Sequence, residues 1–185
     1  EKIMKKFKIK ITILMLLSLI AFTANAQKKQ VGVTKTQLFQ QMKKFDSGIE
    51  KLRNLSEVVA QSIDSERAQA QASYTSDPQR TLDFILLRYE RNDSYIQLAL
   101  AEKALKAAQY LKKHRYDKHG VSDIVLVQGI NKYNDMCDFF TQRAKELRNS
   151  FTRHWNTYCS RYGSADKEIF IQDNRELASY GVSTK

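Results

Sequence analysis

Proline occurs once in these 185 residues, glycine six times, cysteine twice and tryptophan once. An all-β fold needs frequent turns, and so few breakers cannot punctuate one. What remains open is a chain of unusually long helices, so an all-α fold is predicted. The sequence also lacks the short patterns that carry chemistry. It has no serine elbow, phosphate-binding loop, zinc-binding helix motif or dinucleotide fingerprint. No catalytic residue, cofactor site or metal site is therefore assigned, and an enzyme is not expected.

The amino end reads as a leader. Met4-Lys5-Lys6-Phe7-Lys8-Ile9-Lys10 is basic, Ile11 to Phe22 is apolar, and Thr23-Ala24-Asn25-Ala26 ends in small residues. That order describes a Sec signal peptide with cleavage after Ala26. The apolar run is shorter than the roughly 20 residues that span a bilayer, and no cysteine follows it for a lipid anchor. Glu1-Lys2-Ile3 precede Met4, the apparent initiator. The expectation is a periplasmic or extracellular protein beginning at Gln27, with no transmembrane span after processing.

Helix signals organise the rest. Thr34 and Gln37 form a capping box, with Val33 and Leu38 placed as a hydrophobic staple. Leu38, Met42, Phe45, Ile49, Leu52, Val59 and Ile63 then recur at helical spacing. Asp77 can cap a second helix, with Pro78 at its first position, where no hydrogen bond is lost. Leu82, Ile85, Tyr89, Ile96, Leu100, Ala104, Ala107 and Leu111 mark its stripe, and Gly120 is placed to close it in a left-handed turn. Ser122 or Asp123 caps a third helix, whose stripe runs from Leu126 through Ile130, Tyr133, Cys137, Phe140, Ala144, Leu147, Phe151 and Trp155 to Tyr158, ending at Gly163.

Short connections imply antiparallel neighbours. The reading is thus an elongated antiparallel bundle of three long helices over residues 34–163. A short arm, 27–33, precedes it, and a tail, 164–185, follows. In the tail Ile169, Phe170, Ile171 and Leu177 suggest a short docked element, and 182–185 are expected to be mobile.

The chain carries a net charge of +11, and residues 1–26 hold five lysines against one glutamate, so +7 remains on 27–185. Antiparallel packing gathers Lys35, Lys43, Lys44, Lys103, Lys106, Lys112, Lys113, Arg115 and Lys118 at one pole. The opposite end mixes Arg67, Arg80, Arg88, Arg91, Arg143 and Arg148 with Glu57, Asp64, Glu66, Asp83, Glu90 and Asp93 and is nearly balanced. Either the basic pole is a solvated surface that keeps the protein soluble, or it attracts an anionic or acidic partner. No motif supports specific nucleic-acid recognition.

Three other groups invite chemistry. Cys137 and Cys159 lie on one predicted helix, about 33 Å apart at 1.5 Å per residue, too far for an intrachain disulfide. Cys137 reads as a buried thiol, and Cys159 could join two chains. His114, Asp117 and His119 sit among lysines and read as a polar loop rather than a metal site. His154 and Trp155, near Glu146, Arg153 and Tyr158, have no nucleophile or oxyanion hole beside them. Trp155 either packs in the core or against the tail, or is an exposed aromatic anchor for a partner.

The long helices, the leader, the basic balance and the closing stretch Tyr158-Cys159-Ser160-Arg161-Tyr162-Gly163-Ser164-Ala165 resemble minor-pilus subunits of type IV secretion and conjugation systems. The resemblance implies an exported, non-enzymatic assembly protein, an accessory subunit of such an apparatus, with a protein partner in the envelope. One alternative is a periplasmic holdase chaperone, similar in size, charge and helix length, though the strand-rich body of those chaperones has no counterpart here. Another is a surface adhesin that binds an anionic envelope component. The oligomeric state stays open.

Overall fold

Local capping sets the helix boundaries. In the computed structural model, which describes residues 32–72, 77–163 and 167–184, the Thr34 N–H donates to Gln37 Oε1 at 3.0 Å and the Gln37 N–H to Thr34 Oγ1 at 3.3 Å. Helix α1, Lys35–Ala72, starts from this reciprocal cap. The Asp77 carboxylate accepts the Arg80 N–H at 2.9 Å and opens α2, Pro78–His114. Ser122 caps α3, Asp123–Tyr162, which closes at Gly163 in the left-handed region, φ 81°. A fourth helix, α4, Lys167–Ser179, follows. Among the described residues these four helices are the only regular structure, and none is long and apolar enough to cross a membrane. The predicted signal peptide, 1–26, lies outside the described residues.

Two expectations need correction. Gly120 does have positive φ, 72°, but α2 has already ended at His114, with Arg115 still in right-handed helical geometry at its cap. Gly120 shapes the following turn rather than the helix end. Val182, expected to be mobile, is 2 % exposed and belongs to the main core. Its N–H donates to the Leu177 carbonyl at 3.0 Å and that of Gly181 to Ala178 at 2.9 Å. With Gly181 at φ 76°, this is a Schellman ending to α4, and the Leu177–Val182 apolar pair is the contact that accompanies one.

Helix packing joins α2 to each of α1, α3 and α4. Ile49, Leu52 and Leu55 of α1 share one core with Ile96, Leu100 and Ala104 of α2, Leu126 and Ile130 of α3, and Leu177 of α4. Leu87 and Tyr158 form a second, aromatic-rich cluster with Phe84, Phe151, Trp155, Tyr162 and Phe170 around them. Between α1 and α3 long side chains bridge. The Tyr133 hydroxyl donates to Asp46 Oδ1 at 2.6 Å, and burial, with this carboxylate beside it, raises the phenol pKa.

No residue of α2 from Thr81 to Ala101 is exposed, and α4 covers part of that stretch through its contacts with Phe84, Arg88, Arg91 and Asn92. That segment buries its polar residues along with its apolar ones. Beyond Ala101 the exposed positions return, beginning with Glu102, Leu105 and Lys106.

Candidate functional site

The turn between α2 and α3 is tied down by its own polar side chains. Asp117 Oδ2 accepts the Val33 N–H at 2.8 Å and meets His114 Nδ1 at 2.8 Å. The Val33 amide, then His114, hold the Asp117 carboxyl below its ordinary range. His119 is buried. Its Nε2 lies 3.0 Å from the His114 carbonyl, and its Nδ1 accepts the Val121 N–H at 3.1 Å. A neutral ring with the proton on Nε2 satisfies both bonds. Arg115 grips Asp123 with a two-bond fork, at 2.5 and 2.7 Å, and its guanidinium sits over the Tyr116 ring, 5.3 Å from the centroid. This fork lowers the Asp123 pKa and raises that of Arg115.

His114, Asp117 and His119 thus fasten the turn and the start of α1 to one another. The turn is more internally bonded than a solvated polar loop. Among the described residues no group of three His, Cys, Asp or Glu side chains could hold a metal ion.

The Asp117 bond makes a pH prediction. The folded pKa lies below the ordinary 3.8, so the bond's stability is fully present above about pH 4 and is lost as pH falls through the folded value. The protection factor of the Val33 amide against hydrogen exchange falls in that acid range. Asp117→Ala shows the lowered protection already at neutral pH. Wild-type protection of the Val33 amide in Asp117→Ala at neutral pH would refute the assignment.

The nine cations of the basic pole divide into two sets. Lys106 pairs with Glu102, Arg115 is held by Asp123, and Lys103 is half-buried with its stem across Gly48. Lys35, Lys43, Lys44, Lys112, Lys113 and Lys118 are exposed, and no described carboxylate pairs with them. The Val33–Asp117 bond brings the start of α1, with Lys35, to the turn that carries Lys118.

The apolar surface at this end was missed by sequence reading. Tyr116 is 84 % exposed, Ile124 71 % and Val125 50 %. A signal was available, since Ile124 and Val125 directly precede Leu126, where the α3 stripe begins, and so fall off the buried face.

Trp155 is half-buried, stacked on Phe151 at 5.9 Å and tilted against Phe170 of α4 at 5.9 Å. It packs against the C-terminal segment. The residues grouped with it do not converge. Glu146 faces Arg143 at 3.8 Å and Gln142 at 3.0 Å, Arg153 is exposed, and the Tyr158 hydroxyl accepts from Arg80 Nε at 3.2 Å. His154 Nδ1 instead meets Glu90 at 2.9 Å. Cys137 and Cys159 are free thiols, both half-buried, on the unbroken α3. Cys137, expected to be buried, packs at the edge of the main core.

A belt of buried polar residues also escaped sequence reading, which placed Glu90 and Asp93 with the surface charges. Asp93, 2 % exposed, accepts from Ser56 Oγ at 2.6 Å and Gln97 Nε2 at 3.0 Å. Glu90 accepts from Ser150 Oγ at 2.6 Å. Buried Asp173 of α4 receives Arg88 twice, at 2.9 and 3.1 Å, and Asn92 at 2.9 Å. Beside this belt a groove of about 230 Å³ is lined by Arg53, Ser56, Tyr89, Asp93, Phe139 and Arg143, among others. Every buried side-chain nitrogen and oxygen among the described residues has a partner, so the belt's polar groups are spent on one another. The only warning in the sequence was the gap in the α2 stripe between Tyr89 and Ile96, occupied by Asn92 and Asp93. No protein-family model, curated protein or solved structure matches this chain.

Proposed function

We propose that this chain is a non-enzymatic interaction protein that engages an anionic partner through the end of the bundle carrying the turn after α2. The observation that carries this reading is the joint exposure of Tyr116, Ile124 and Val125 beside the unpaired lysines 112, 113 and 118. The two acids of that turn, Asp117 and Asp123, are bound internally, so the outward charge is positive. An antiparallel, elongated arrangement of the long helices is part of the proposal. The cross-links Val33–Asp117, Ser56–Asp93 and Glu66–Arg88 support it for α1 and α2. Arg80–Tyr158 and Glu90–Ser150 support it for α2 and α3. Export, and service as an accessory subunit of a conjugation or secretion apparatus, extend the reading. They rest on residues 1–26 and on the resemblance to minor-pilus subunits.

Retention on an immobilised polyanion tests the reading. The triple variant K112E/K113E/K118E is expected to elute at distinctly lower salt than wild type. K145E/R153E/R175E, an equal charge change on exposed positions of α3 and α4, is expected to shift elution little. Equal shifts for both variants would show that attraction follows net charge and would remove the localised surface.

A further inference from the structure

We infer that the partner of this end is an anionic phospholipid surface; the inference rests on the function proposed above. The apolar groups are arranged for a fluid interface. A helix that docks in a protein groove presents anchors spaced at i, i+3, i+4 and i+7 along one face. Ile124 and Val125 are consecutive, so their side chains diverge by about 100° around α3, and a single groove cannot take both. Tyr116 projects from the turn and not from a helix face. A bilayer interface has no fixed walls, and diverging side chains can all enter it.

The charges complete the arrangement. The Arg115–Asp123 fork neutralises the one acid in the first turn of α3 and stiffens the segment from Tyr116 to Ile124. The Asp117 carboxylate is turned inward to Val33 and His114. Exposed Lys112 and Lys113 close α2 just before Tyr116, and exposed Lys118 follows it in the same turn; their flexible stems can lie in the apolar layer while the ammonium groups reach phosphate. Tyrosine, with an apolar ring and a polar hydroxyl, suits the same depth.

The test uses the chain from Gln27 to Lys185, which retains the whole compact unit Val33–Lys185 and removes the apolar run that would bind lipid by itself. Co-sedimentation is measured with pure phosphatidylcholine vesicles and with phosphatidylcholine–phosphatidylglycerol vesicles. Wild type is expected to partition at least about tenfold more strongly onto the anionic vesicles. Y116S/I124S/V125S is expected to lose about tenfold or more of that partitioning, and K112E/K113E/K118E is expected to lose both vesicle binding and polyanion retention. Polyanion retention without vesicle binding would overturn the lipid assignment, pointing to an acidic macromolecule and leaving the functional reading intact. Loss of neither property in the lysine variant would overturn both. Wild-type vesicle binding by the apolar variant would overturn the inference, because lysines alone would then account for it.

Discussion

Val182→Asp is expected to destabilise the fold by about 3 kcal/mol, the cost of placing a carboxylate without a partner in an apolar site. Val182 is 2 % exposed and lies in the same core as Leu177. Residues 33–185 should then melt about 6–12 °C lower, at the 2–4 °C per kcal/mol typical of this size. The amides of α4 should lose protection first. Besides Val182, α4 is held to α2 largely by the grip of Arg88 and Asn92 on Asp173 and by Arg91 over the Phe170 ring, 5.0 Å from its centroid. The Asp173 hydrogen bond raises the Arg88 pKa. Once α4 lifts, Phe84 and Phe170 lose their mutual contact at 5.6 Å. A melting temperature within about 2 °C of wild type, with α4 still protected, would show that Val182 is not a core residue.

The second large effect separates two buried carboxylates. Asp93→Ala is expected to cost about 2–3 kcal/mol and Glu90→Ala about 1 kcal/mol, the scale of hydrogen bonds to charged groups and of partners left unpaired. The difference lies in where the partners go. Asp93 binds Gln97, which is buried, and Ser56, which is half-buried, between α1 and α2. Glu90 binds His154, whose side chain is 44 % exposed, and half-buried Ser150. Those two can turn to water when the carboxylate is removed. Urea unfolding with unchanged slope checks both values. Equal losses for the two variants would mean that partner exposure does not govern the cost.

Helix boundaries were legible because caps and breakers are local. Thr34 with Gln37, Asp77 with Pro78, Ser122 and Gly163 each act within four residues of the end they define. The lysine excess was legible as composition, though not that Lys106 and Arg115 would be paired with Glu102 and Asp123. Gly181 followed by Val182 also carried the local signature of a helix end with an apolar return, but it fell in a stretch read as loose tail.

By itself, then, the sequence determined an all-α chain with three long helices, the residues that start them, the glycine that ends the third, and the stripes that form the main core. These follow from period and capping, which depend on neighbours one turn away. Only the tertiary structure decided that α2 is enclosed from Thr81 to Ala101, that Glu90, Asp93 and Asp173 are interior, that Asp117 serves Val33, and that Tyr116, Ile124 and Val125 stand uncovered. Burial depends on what approaches from every side. Those approaches link residues as far apart as Arg88 and Asp173, a separation that no periodicity along the chain encodes.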